Sequence, residues 1–138
     1  MNRGDFQKLS RFRVKEAKVL LDNGCAPGAY YLLGYAVECA LKACIAKQTK
    51  RYDFPERKQV NESYTHNLEK LVTAAGLKAE LDNEIKINPT FRNNWDTARN
   101  WTEESRYDHS ISLSEARALY SACTARRNGV LSWLKKWW

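Results

Sequence analysis

"PGAYYLLGYAVECALKACIA", residues 27–46, decides how the rest of the chain is read. A run this apolar is long enough either to span a bilayer or to pass through the middle of a globular core. Glu38 and Lys42 stand near its centre, and charges at mid-membrane depth are costly. Their i, i+4 spacing, acid first, is the favourable order for an ion pair along one helix. The stretch therefore reads as a buried central helix, apolar on nearly every side, with a locally paired polar stripe. No transmembrane segment is expected.

The surroundings agree with that reading. A chain of 138 residues suits one domain, 1–138, and can bury a core without help. The opening "MNRGDFQKLSRFRVKEAKV" carries no apolar core behind its basic residues, so no signal peptide is expected. Four cysteines, at 25, 39, 44 and 123, form no C-x-x-C pair and lack the tight spacing of a zinc site or a disulfide framework. They read as reduced, mostly buried thiols of a cytoplasmic protein, with no metal and no cofactor.

Helix follows helix, with no alternating β-branched run. A first helix over about 5–22 places Leu9, Phe12, Val19 and Leu20 at helical spacing, and Asn23-Gly24 ends it. Pro27 suits the first turn of the central helix. Residues 47–65, "KQTKRYDFPERKQVNESYT", form a long polar loop. "THNLEKLVTAAG" restarts helix with Thr65 as N-cap and Gly76 as stop; His66 reads as part of that helix start, by capping or packing. Leu77, Leu81 and Ile85 mark a short amphipathic helix ended by Asn88-Pro89, and Thr90 is placed to cap "FRNNWDTARNW".

Ser112 and Glu115 form a capping-box pattern ahead of a last helix that runs nearly to the end. Its seam is Leu113, Ala116, Tyr120, Cys123, Arg127, Val130, Leu134 and Trp137. A charge on such a seam needs a partner. The expected partner of Arg127 is Glu38, the one carboxylate of the central helix. In the tail "VLSWLKKWW", the tryptophans are expected to cover the bundle, the rival reading being a membrane-surface or partner contact.

The formal net charge is +7, and it is uneven. Residues 1–20 hold six basic and two acidic side chains, and from Arg117 onward there are five basic and none acidic. Such a bias suits an anionic partner, above all nucleic acid or phosphate.

Three phrases then fall in order: "YYLLGYAVECALKACI" (30–45), "HNLEKLVTAAGL" (66–77) and W-x4-RY (101–107). Together they resemble the HEPN family, small all-helical prokaryotic proteins tied to nucleotides, RNA and toxin–antitoxin or defence systems. The strongest part is G-Y-A-x-E-x-x-L-K-A at 34–43, and the resemblance spans about residues 6–136. It implies an all-α, up-and-down bundle of four to five antiparallel helices, usually paired as a homodimer. A nucleotidyltransferase-like protein is a further partner that the family implies.

Many HEPN proteins are metal-independent ribonucleases whose signature is an Arg, often followed by a polar residue, with His after four to six intervening positions. Histidine can move protons near neutral pH, and arginine's fork can stabilise charge on the phosphate. In "ARNWTEESRYDH" (98–109), Arg99-Asn100 matches the front of that signature. Glu104, Ser105 and Arg106 occupy the positions where histidine should follow. His66 and His109, the only histidines, lack an arginine at the matching distance. The expected function is therefore a nucleotide- or RNA-binding interaction protein without the usual site. The alternative is a ribonuclease using Arg99, Arg106 and His109 in a displaced arrangement, with Asp108 orienting the imidazole. As a corner, the segment is expected to be pinned to the bundle by Trp95 and Trp101.

Overall fold

The computed structural model describes residues 1–49 and 57–138. Every regular element among them is helical. Helix α1 (Arg3–Asp22) starts in a capping box, where Asn2 and Asp5 satisfy each other's backbone donors. Gly24, at a φ of 74°, turns the chain into α2 (Ala26–Gln48), which has Pro27 in its first turn. Short α3 (Arg57–Glu62) lies inside the segment expected to be loop, and α2 itself runs on to Gln48. The middle of that expected loop, residues 50–56, lies outside the described residues.

Next come α4 (Leu68–Ala74), α5 (Lys78–Ile87), α6 (Pro89–Arg99), a 3-10 turn (Glu103–Tyr107), α7 (Leu113–Thr124) and α8 (Val130–Leu134). The described residues thus form eight α-helices where the resemblance implies four to five: α3 and α8 are fragments of one or two turns, and the segment 68–99 is divided among the short helices α4, α5 and α6. Two expected caps shift by a few residues. Asn67 caps α4 by accepting from Lys70 N, and Asn88 caps α6 by accepting from Phe91 N.

Helix α2 is the centre. It packs most extensively on α1 and also meets α4, α7, α8 and the 3-10 turn. Alanines make the α1–α2 approach close: Ala17, Ala29, Ala36 and Ala40 are fully buried, and Ser10 Oγ donates to the Ala36 carbonyl at 2.8 Å. By length and composition α2 could cross a membrane, but 67% of its most apolar window is buried inside the bundle. Phe12 and Val19, expected on the inner seam of α1, are exposed instead; the buried stripe runs through Ser10, Ala17 and Leu21.

The largest departure is at the last helix. The three-and-four period continues without a gap, yet helix α7 stops at Thr124 and the chain turns through 125–129 before α8. Gly129 N donates to the Ala125 carbonyl, and a Cβ at 129 would overlap that oxygen. Asn88 and Asn94 hold the turn by bonding the Asn128 side chain and carbonyl. Arg127 therefore sits exposed in a turn and not on a buried seam. Beyond it, Trp133 and Trp138 are buried, with the Trp133 ring 5.4 Å from that of Phe91, so the tail covers the bundle.

Candidate functional site

Trp101 pins the polar corner. It is 2% exposed, and its indole lies directly over Gly34, where any Cβ would overlap ring atoms. Tyr31, one turn earlier on α2, has its ring 6.1 Å from Trp101. The glycine of one sequence phrase is thus required by the tryptophan of another. Trp95 and Ser105 are buried beside the same frame, so the corner is anchored as its two tryptophans predict.

The polar side chains of the corner go their separate ways. Arg99 Nη1 donates to Glu69 on α4 at 3.3 Å, and its Nε lies 3.4 Å from Asp96. It lines a cleft of about 600 Å³ between α4, α5 and α6, where Lys70 and Arg92 add positive charge and Glu69 and Asp96 offset it. Asn100 is the C-cap of α6. Arg106 lies over the Tyr107 ring at 4.7 Å; Tyr107 first, and Tyr31 after it, push its pKa further up. Asp108 does not reach back to orient His109. Its Oδ1 accepts from the Ser110 hydroxyl and backbone N–H, which holds the carboxyl below its ordinary range. His109 is exposed in the turn before α7. Among the described residues, no hydrogen bond or ion pair links Arg99, Arg106 and His109 to one another.

A second polar centre is built on α2. Glu38 is 1% exposed, and its Oε1 accepts from Lys42 Nζ at 2.8 Å. The same oxygen is 2.9 Å from His66 Nδ1, which itself lies 4.0 Å from Glu103 Oε2. Among the described residues, Glu38 Oε2 has no hydrogen-bond partner, and neither do Trp101 Nε1 and Ser105 Oγ on the adjoining corner. This corrects the expected Glu38–Arg127 pair. The buried carboxylate is compensated from its own helix and from the residue before the Asn67 cap, while Arg127 lies in the α7–α8 turn.

His66 is the residue whose role the sequence understates. Its signal is indirect: a buried Glu38 needs compensation beyond one partly buried helix neighbour, and the sequence does not say from where. With a half-exposed ring held on a buried carboxylate, His66 has an oriented imidazole that remains in reach of solvent. Among the described residues, no group of three or more His, Cys, Asp or Glu side chains is placed to hold a metal ion. Cys39, Cys44 and Cys123 are buried, and burial pushes their thiols up to about 11, about 12 and about 12 respectively. Such thiols stay protonated and unreactive at neutral pH.

Comparison with known proteins finds no matching family, no matching curated protein and no matching solved structure.

Proposed function

We propose that this chain is a HEPN-like RNA- or nucleotide-binding module that does not cleave its ligand. In this reading it works as a homodimer, beside a partner such as a nucleotidyltransferase-like protein, in a toxin–antitoxin or defence setting. The observation that carries the non-catalytic half is the dispersal of the corner. Arg99 is offset by Glu69 and Asp96, Arg106 is laid on Tyr107, and the Asp108 oxygen that would steady His109 is committed to Ser110. Phosphoryl-transfer catalysis needs its cation and its proton carrier on one phosphate. The binding half rests on the resemblance at 34–43, 66–77 and 101–107 and on the +7 charge.

The test is incubation of the protein with single-stranded and with structured RNA, alongside Arg99→Ala, Arg106→Ala and His109→Ala variants. Intact RNA in every lane supports the reading. Cleavage by wild type that disappears in those variants establishes the ribonuclease alternative.

A further inference from the structure

The geometry points to the furrow between α1, α7 and α8 as the surface that takes the backbone of single-stranded nucleic acid. This inference rests on the RNA-binding reading and gives it a location.

Two depressions adjoin along α1. One, of about 260 Å³, is lined by Arg11, Tyr120 and Lys135; the other, of about 370 Å³, by Lys18, Arg117 and Tyr120. Tyr120 belongs to both, so they form one track. The single carboxylate lining it is Asp22, which Lys18 already holds at 2.5 Å. Arg11, Arg117 and Lys135 have no ion pair among the described residues.

The cations are also gathered close to one another. Arg11 and Lys135 converge on the same Trp138 ring, at 4.9 and 5.7 Å. Asp22 is the main influence on Lys18 and raises its pKa, but Arg117 is near enough to oppose that. Like charges held side by side repel, and a polyanion laid along them relieves the repulsion while releasing its own counterions. The cleft at Arg99 differs, because three carboxylates, Glu69, Asp82 and Asp96, line it among its four cations, and Arg99 and Lys78 are paired with them.

Length and shape narrow the ligand further. Arg11 and Lys18 are two helical turns apart, about 10 Å along the axis, so the track is longer than one phosphate group. A polymer uses all of it, whereas a mononucleotide reaches only one end. Tyr120, half-buried between the two cation clusters, supplies a ring on which a splayed base can stack. An anionic membrane fits the furrow poorly: the cations line a concavity, and Trp133 and Trp138 of the tail are buried in the bundle.

The experiment measures anisotropy of a labelled single-stranded RNA, the same DNA sequence and an RNA duplex. The proteins are wild type, an Arg11→Gln/Arg117→Gln/Lys135→Gln triple variant and a Lys70→Gln/Arg92→Gln/Arg99→Gln cleft control. Circular dichroism verifies the fold of each. With about 0.7 counterions released per single-strand phosphate, losing three contacts should make the log–log salt slope shallower by about 2 and weaken binding about a hundredfold near 0.1 M salt. Tyr120→Leu should weaken binding at least about fivefold, as loss of a stacked base does. The cleft control should bind as wild type does. If single strands bind and the furrow variants bind equally well, the furrow is refuted while the RNA-binding reading stands. Preference for duplex over single strand also refutes the furrow as a single-strand track. If wild type binds no nucleic acid, or only phosphatidylserine vesicles, both fall.

Discussion

Glu38, at 1% exposure, presents one carboxylate oxygen to both Lys42 and His66 and leaves the other without a partner among the described residues. The two partners are not equally placed. The Lys42 side chain is 19% exposed and that of His66 is 47% exposed, so each can turn toward water, whereas Glu38 cannot. Lys42→Met leaves a buried carboxylate with only a half-exposed imidazole beside it. Breaking a buried pair from one side costs about 3–5 kcal/mol, and the partial exposure of Lys42 places this case near about 3. For a domain of this size that lowers the melting temperature by roughly 10 °C.

Glu38→Met removes the one charge that has no route to solvent and fills its place with apolar volume, so its cost should stay within about 1 kcal/mol. The double variant should recover most of what Lys42→Met loses. Thermal melts followed at 222 nm read all three. Lys42→Met melting with wild type, or Glu38→Met melting well below Lys42→Met, would refute the assignment of Glu38 as the stranded charge.

Gly34→Ala drives a methyl into the Trp101 ring, and overpacking of this kind should cost about 1–3 kcal/mol or more in a urea melt; an unchanged midpoint would mean the indole does not sit there. Native protein should expose one rapidly reacting thiol to an aromatic disulfide reagent, Cys25, and four after denaturation. Fast reaction of three or four thiols in the native state would contradict the buried positions of Cys39, Cys44 and Cys123. The same burial sets an alkaline limit. Folded thiols raised to about 11 and about 12 stay protonated while the unfolded chain ionises near 9.0, so their stabilisation is complete below that value and is lost as pH rises toward 11–12. Urea midpoints should fall steadily from about pH 9 upward at about 1.4 kcal/mol per thiol per pH unit, and a flat profile to pH 11 would contradict it.

Local signals in the sequence carry the α1–α2 hairpin well. Asn23-Gly24, Pro27 and the apolar run of 29–45, broken only by Glu38 and Lys42, each act within a few residues, and the turn between the two helices falls where those signals say. The break after Thr124 is different in kind. The apolar period runs through it unchanged, and the groups that hold it, Asn88 and Asn94, arrive from another helix. That is why Arg127 looked like a seam residue.

The inner face of α1 departs from its apolar periodicity for a related reason. Small residues, Ser10 and Ala17, make the close contact with α2, while the larger Phe12 and Val19 face outward. At the corner, the anchoring role of Trp95 and Trp101 follows from size alone. The Glu38–His66 contact does not, since a buried acid announces that it needs a partner without saying which.

Under the proposed function, this chain binds single-stranded RNA through its phosphates and leaves it intact. The most direct measurement is the affinity of wild type for a labelled single-stranded RNA between about 50 and about 200 mM salt, with the RNA recovered and sized afterwards. About four phosphate contacts predict an affinity that falls about fiftyfold over that range, with the recovered RNA at full length. Binding that is absent or indifferent to salt, or RNA recovered in pieces, would contradict the account.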